Sequence, residues 1–346
     1  MTEKKILLVT FPVDLGNRTI ESNFQYIFQN DMSFFSFAAQ HADSIDIGRV
    51  SIKKSILYRL LSIKKLRKTV KQAVKDERFV LFDGISPALF AYGIWIPSKT
   101  AITFDWTRTL YDQVLGKKIK QGLVFLLHKF LLNHCKCIIC WTDAVIENLK
   151  TIYNVNPNNI HKACAPLLVE KMDIVPRATQ IKPRVLFVGG DLYRKGGDVI
   201  LKNWKERLEG KCSLTMMTND SSANIDGINY LPGIKYGTEA HKNVFKEHDI
   251  LLLPTRIDAY PQVIGEAVAA GMAVISTKFA LGAKEMIDNG VTGYICDSPE
   301  ACIDQLLILL KNINLIDSFK EKGYNFIHKK FNTESIRKQY LDIIGC

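Results

Sequence analysis

The chain has no uncharged apolar run near the roughly 20 residues that a membrane-spanning helix requires. It has no internal repeat of fixed period and no low-complexity segment, which sets aside solenoids, arrays and fibrous folds. Cysteine occurs eight times in 346 residues, at 135, 137, 140, 164, 212, 296, 302 and 346, mostly inside apolar segments. That usage fits a reduced cytosolic compartment better than a disulfide framework. His134, Cys135, Cys137 and Cys140 invite a zinc reading, but no second ligand pair with metal spacing lies nearby. Cys137–Trp141 also reads as a buried strand, so these thiols are expected to be strand residues and the chain to hold no metal. At the start, Lys4-Lys5 and the run Ile6–Phe11 meet Asp14 and Gly16 with no small-residue cleavage site. This reads as a first strand, not a signal peptide, and the expected location is cytoplasmic.

What is present is a sizeable core and a basic surface. Apolar residues make up 47% and aromatics 10% of a length that suits two ordinary domains, which argues against a disordered chain. The formal net charge is +11, and 51–78 alone carries ten Lys/Arg against two acids. Within it Ile56, Leu60, Ile63, Leu66, Val70 and Val74 recur every three or four residues among Lys53, Lys54, Arg59, Lys64, Lys65, Arg67, Lys68 and Lys71. The spacing predicts an amphipathic basic helix, or two broken near Ser62. Such a helix either docks on an anionic membrane, peripherally on its inner face, or turns its apolar side to the core and its cations to water. Lys117-Lys118-Ile119-Lys120 and the apolar run Leu123–Leu127 that follows are placed to extend the same face. A nucleic-acid partner is not expected, because no binding module is visible and aromatics are not interleaved with the basic run.

Short apolar runs alternate with longer amphipathic stretches, the pattern of βα units and parallel sheets. Strands are expected at 5–11, 45–50, 79–83, 100–104, 137–141, 184–188, 213–217, 249–253, 273–276 and 292–295. Between Pro166 and Pro183 three prolines and the loss of any period mark a linker. The expected organisation is an N-terminal Rossmann-like domain over 1–165, a linker over 166–183, and a second, ligand-binding Rossmann-like domain over 184–330. A capped C-terminal helix over 331–346 is placed to cross back to the first domain. In doubly wound α/β folds ligands sit beyond the carboxyl ends of the strands, and two such domains would enclose one in a cleft.

Two loops carry chemistry. In Val185–Asp198 a strand leads to Gly189-Gly190-Asp191, then Arg194-Lys195-Gly196-Gly197, then a helix. Glycines allow close approach of an anion, Arg194 can fork to two phosphate oxygens, and Lys195 supplies a point charge, so a diphosphate fits. The same loop also reads as a solvated turn whose glycines only reverse the chain. In Leu251–Gly271 a buried strand ends at Pro254-Thr255-Arg256-Ile257-Asp258-Ala259-Tyr260, Pro261 is placed as a first helical residue, and Gly271 closes a short helix. Glu266 interrupts that otherwise apolar helix two turns after Asp258. A carboxylate there needs partners, either ligand hydroxyls or a structural arginine or backbone N–H groups.

These motifs resemble the nucleotide-sugar domain of retaining glycosyltransferases of the two-Rossmann (GT-B) type, the family 4-like class known as glycosyl transferases group 1. The resemblance runs over about 184–296, through Pro254, Asp258, Glu266, Gly271, Val274–Thr277, Gly282–Glu285 and Asn289–Gly293. It implies a GT-B α/β fold, two Rossmann-like domains with parallel sheets facing across a cleft. It also implies that Gly189, Arg194 and Lys195 hold the donor diphosphate, that Glu266 binds ribose hydroxyls, and that Asp258, with Tyr260 and Pro261, lies by the transferred sugar. Two positions depart from the family pattern: Asp258 replaces the usual glutamate, and Gly190 stands where an arginine is common, leaving Arg194 to substitute.

The N-terminal half resembles the family only in its order of elements. There Gly16, after the first strand, is a candidate donor contact or an ordinary strand-to-helix glycine. Asp105 stands where the family often has a sugar-contacting histidine, unless it is an N-cap; Asp83-Gly84 is a weaker candidate. No Asp-x-Asp triplet occurs, so cations and helix ends are expected to stabilise the leaving group without a metal. The expectation is a retaining, metal-independent glycosyltransferase that moves a sugar from a nucleoside-diphosphate sugar to a glycan or lipid-linked acceptor. No cofactor is expected beyond that donor. The alternatives are a non-catalytic binding protein, or a sugar-nucleotide epimerase or hydrolase, on the same fold.

Overall fold

Apolar runs with almost no interior charge become the central strands of two parallel sheets. In a computed structural model, residues 4–11, 15–37, 52–169 and 182–345 are described, with the side chains of 15–17 and 52–60 left aside. The chain divides into two compact units, Met1–Leu167 with Thr333–Cys346, and Leu168–Asn332.

In the first unit the strands are β1 (Ile6–Thr10), β2 (Met32–Ser36), β3 (Phe79–Asp83), β4 (Thr100–Phe104), β5 (Cys137–Cys140) and β6 (Ile160–Lys162). Helices α1 (Leu15–Ile27), α2 (Ile52–Lys75), α3 (Ile85–Phe90), α4 (Arg108–Val114), α5 (Leu123–His134) and α6 (Asp143–Thr151) connect them. The sheet order is β2-β1-β3-β4-β5-β6, all parallel, so the strand order reverses between β1 and β3. Both β1 and β4 are buried along their whole length, as strands covered on both faces are. The thiols of Cys135, Cys137 and Cys140 are buried in and beside β5; burial pushes Cys135 up to about 12 and Cys137 to about 11, so they stay protonated. α2 runs without a break through Ser62, with Leu66, Val70 and Ala73 buried.

In the second unit the strands are β7 (Arg184–Val188), β8 (Ser213–Met217), β9 (Ile228–Tyr230), β10 (Ile250–Leu253), β11 (Ala273–Thr277) and β12 (Gly293–Cys296). The helices are α7 (Gly197–Asn203), which continues as a π turn over Trp204–Leu208, then α8 (Glu239–Lys246), α9 (Gln262–Ala269), α10 (Ala283–Met286), α11 (Pro299–Leu310) and α12 (Ile313–Lys330). Here the order is β12-β11-β10-β7-β8-β9, the doubly wound dinucleotide-fold order, whose reversal falls between β7 and β10. A buried ion cluster pins the base of that pair: Asp249 accepts from Arg184 Nε at 3.1 Å and from Lys320 Nζ at 3.0 Å.

The chain then returns to the first unit as α13 (Thr333–Ile344). Arg337 grips Asp31 with two bonds of 2.7 and 2.6 Å, and Trp141 Nε1 donates to Tyr340 Oη at 2.8 Å. The Tyr340 ring packs edge-on against both Phe24 and Phe28. The expected strand at 45–50 lies outside the described residues. Three short edge strands, β2, β6 and β9, were not expected from the sequence. Among the described residues no helix is long and apolar enough to cross a membrane, and no group of three or more His, Cys, Asp or Glu is arranged to hold a metal ion.

Candidate functional site

The loops after β7 and β10 leave neighbouring strands at the point where the second sheet reverses, and their backbones meet. Gly196 has φ +80°, and a Cβ there would lie 1.9 Å from the carbonyl oxygen of Pro254. Only glycine satisfies both constraints. Gly189 is also tight, since a Cβ would come within 2.9 Å of Lys195 Cγ, whereas Gly190 faces open space. The carbonyl of Arg194 accepts from Arg256 N at 2.9 Å and from Thr255 Oγ1 at 3.1 Å, stitching the two loops together.

That stitching brings the candidate side chains to one place. Lys195 Nζ donates to Asp258 Oδ2, and Arg194 Nη1 donates to the same oxygen at 3.3 Å and to the carbonyl of Ile257 at 3.2 Å. Asp258 is itself fixed by backbone pairing: its N–H donates to Phe279 O at 3.0 Å and its carbonyl accepts from Leu281 N at 2.9 Å. Tyr260 is buried against Gly282, where a Cβ would come within 2.5 Å of its ring. Pro261 is the residue before α9, its N-cap with ψ 95°, and not the first helical residue; the helix opens at Gln262 without a side-chain cap. Gly271, at φ +73°, closes the segment after α9 as expected of a C-terminal glycine.

Glu266 sits on α9, largely buried. Burial pushes its carboxyl up to about 7, and the positive charge of Lys195 acts in the opposite direction. Lys195 therefore acts electrostatically on both acids of the motif. Glu266 Oε2 stands 3.9 Å from Nε2 of His241 on α8, whose imidazole is pushed down by burial and so stays neutral near pH 7. The neighbour is a histidine, not the arginine considered from the sequence. Thr238 Oγ1 caps α8 by accepting from His241 N at 3.3 Å, and the Tyr236 ring lies edge-on to the imidazole.

Two residues of this site escaped the sequence reading. His241 lies 25 positions from Glu266 in a polar helix with no motif around it. Arg256 was read only as part of a loop, yet it forks to Asp198 with bonds of 2.7 and 2.9 Å and stacks on the exposed Tyr193 ring at 4.1 Å. Arg256 thus fixes the start of α7 to the loop after β10.

Asp105 and Gly16 belong to the first unit. Gly16 lies in the first turn of α1, and 12–14 just before it are outside the described residues. Asp105 follows β4 and is half-buried. It is not the cap of α4: that role belongs to Thr107, whose Oγ1 accepts from Leu110 N at 3.1 Å. Asp105 instead acts on Asp83 at the end of β3. Burial first, then the negative charges of Asp105 and Glu21, push Asp83 up to about 8, so it carries a proton at neutral pH. Glu21 on α1 accepts from Thr10 Oγ1 at 2.5 Å. The carboxyls thus gather at the carboxyl ends of β1, β3 and β4, where the order of the first sheet reverses.

Two parallel six-stranded sheets flanked by helices make this a GT-B fold of two Rossmann-like units. Residues 182–312, which lie in the second unit, match the family described as Glycosyl transferases group 1. Over nearly the whole chain the fold is similar to a glycosyltransferase from Rickettsia africae. That likeness has TM-score 0.69 and 16% identity, and it covers 99% of this chain and 98% of the other. It is also similar to HepE of Anabaena in complex with UDP and glucose, with TM-score 0.71, 11% identity, and coverage of 99% of this chain and 100% of the other. In sequence, an uncharacterized 41.2 kDa protein in the cps region of Klebsiella pneumoniae is 24% identical over 275 residues, 74% of each chain.

Proposed function

We propose that the chain is a retaining glycosyltransferase that moves a sugar from a nucleoside-diphosphate sugar to a glycan or lipid-linked acceptor without a metal ion. The observation that carries this reading is the placement of Lys195. It sits on a glycine-bounded loop at the reversal of the second sheet, bonded to Asp258 and close enough to Glu266 to oppose its rise.

Lys195 and Arg194 have donors to spare beyond those given to Asp258, since an ammonium carries three N–H groups and a guanidinium five. A donor diphosphate shares these cations, and the charge that builds on it as the sugar leaves is met by them. Glu266, titrating near 7, can accept from one ribose hydroxyl and, when protonated, donate to another. Asp258, Tyr260 and Pro261 shape the floor beside the sugar, and Gly189 lets the backbone approach the phosphates. Asp105 and Gly16 are the first unit's candidates, Asp105 at the sugar and acceptor and Gly16 at the phosphates. In the transfer, an acceptor hydroxyl oxygen bonds to the anomeric carbon on the face from which the phosphate oxygen departs. The electron pair of the breaking bond goes to the diphosphate, and the hydroxyl proton follows it there.

Support for the donor class comes from the family match of the second unit and from the likeness to a fold solved with UDP and glucose. A thermal-shift panel of UDP-, GDP- and ADP-sugars tests the reading. One of these raises the melting temperature of the wild type and leaves that of a Lys195→Ala variant unmoved; no shift with any donor counts against it.

A further inference from the structure

We infer that the first unit docks on an anionic phospholipid bilayer through the outer face of α5, with the cationic face of α2 beside it. Leu123, Leu126, Leu127 and Phe130 recur at i, i+3, i+4 and i+7. On a surface helix of a globular protein that spacing marks the stripe turned to the core. Here the stripe faces water instead: Leu123 is 72% exposed, Leu126 56%, Phe130 40% and Leu127 37%, with Val124 beside them at 62%. The core side of the helix is made separately by Phe125, Leu131 and Leu132. α5 is therefore apolar on two sides, and one of them is largely exposed.

The charge around this stripe has a single sign. From Gly116 to His134 there is no Asp or Glu, while Lys117, Lys118 and Lys120 precede the helix and Lys129 lies within it. On α2 the residues Lys64, Lys65, Arg67, Lys68 and Lys71 are all exposed, opposite the buried Leu66 and Val70. Leu61, 52% exposed, lies among those cations. α3 packs against both α2 and α5 and holds the two faces together. Arg67 Nη1 donates to the carbonyls of Phe90 at 3.0 Å and Tyr92 at 3.1 Å, and the Tyr92 ring meets the Phe130 ring edge-on at 5.4 Å. Exposed Phe90 and Tyr92 lie between the cations and the aliphatic stripe.

Cations, then aromatic rings, then aliphatic side chains follow the order of a bilayer surface: anionic headgroups, interface, acyl chains. A second copy of the chain would bring the same cations face to face with these in a two-fold contact, which is electrostatically unfavourable. From the sequence, docking was one of two readings of 51–78, with 117–127 placed to extend the same face; here the exposed apolar stripe of α5 serves insertion and α2 has an electrostatic part. The inference uses the first unit alone and holds whatever the second unit binds.

Co-sedimentation of the full chain with phosphatidylcholine vesicles, with and without phosphatidylglycerol, reads the partition. The wild type binds the anionic vesicles, and binding falls as salt rises. Leu123→Glu with Leu126→Glu weakens it at least about tenfold, and so does Lys64→Glu with Lys68→Glu and Lys71→Glu. All these positions are exposed, so thermal melts of the variants match the wild type. A Val124→Trp reporter gains emission that shifts to the blue on binding and is quenched by brominated lipid. The proposal is overturned by a wild type that ignores anionic vesicles, by partition unchanged in the Leu123/Leu126 variant, or by an unquenched indole at 124. Sedimentation showing a dimer that the Leu123/Leu126 variant dissociates overturns it in favour of a second copy.

Discussion

Lys195 donates to Asp258, and the two side chains come from loops that leave adjacent strands, β7 and β10. Both are mostly shielded from solvent, and Arg194 reaches the same carboxylate oxygen. From the sequence these residues read as addressing different parts of a ligand, the lysine its diphosphate and the aspartate its sugar. The structure makes them one unit, so any anion that met Lys195 would also feel Asp258.

A prediction follows for Asp258→Asn. Removing the carboxylate leaves Lys195 and Arg194 with more positive potential for a phosphate. Free nucleoside diphosphate is then held tighter by roughly threefold to tenfold, the size of a partly exposed ion pair of about 1 kcal/mol. Turnover with the sugar nucleotide falls by at least about 100-fold if Asp258 orients the sugar. Titration calorimetry and a transfer assay on the same variant read the two effects. Weaker nucleoside diphosphate binding would show that Asp258 only holds the cations in place.

The Glu266 carboxyl supplies a pH prediction. Its folded value of about 7 lies above the ordinary 4.5, so folding favours the protonated form. Stability from this group is fully present below pH 4.5 and is lost as pH rises through 7. His241, pushed down by burial, is neutral across the upper part of that range and supplies no charge to offset the loss. Glu266→Gln removes the penalty. In urea titrations the variant is more stable than the wild type at pH 8, by on the order of 2 to 3 kcal/mol, and close to it at pH 5. Equal midpoints at both values would contradict a buried, raised carboxyl.

Two glycines in the same loop separate fold from freedom. Gly196→Ala forces a left-handed backbone on alanine and drives its Cβ into the Pro254 carbonyl, at a cost above about 2 kcal/mol. Gly190→Ala meets nothing within 4 Å and leaves the melting temperature within a degree or so of wild type. Comparing the two melts tests whether the loops after β7 and β10 press together as described.

The return of α13 to the first unit can be tested at Tyr340. Its hydroxyl accepts from Trp141 Nε1 in a buried setting, with the ring against Phe24 and Phe28. Tyr340→Phe keeps the packing but leaves the indole N–H without that acceptor, costing about 1 to 3 kcal/mol in chemical denaturation. No loss would mean that α13 is held by its other contacts, the Arg337–Asp31 pair and the bonds from Lys136 to Ile344 O and from Cys164 N to Gln339.

Much of this fold can be read from the chain because its central strands are apolar runs buried on both faces. Those runs place β1, β3, β4, β5, β7, β8, β10 and β11 to within a residue at either end, and the edge strand β12 is placed as closely. β2, β6 and β9 are edge strands, half-exposed and three to five residues long, so they lack the run that would reveal them. At the site, the glycine loop and Glu266 on α9 stand out because each breaks a local pattern. His241 and Arg256 break none, and their roles come from contacts 25 and 58 positions away along the chain. The raised Asp83 is hidden for the same reason: its environment is made by Asp105 and Glu21, on other elements. The solvent-facing stripe of α5 has the spacing of a core face, and only packing distinguishes the two.

The central claim is that Lys195 anchors the diphosphate of a sugar nucleotide. Titration calorimetry of the full chain with whichever donor gives the largest thermal shift tests it most directly. Saturable binding at one site is expected, weakened at least about 100-fold in Lys195→Ala while the melting temperature without donor is kept. Donor binding of equal strength in that variant would contradict it.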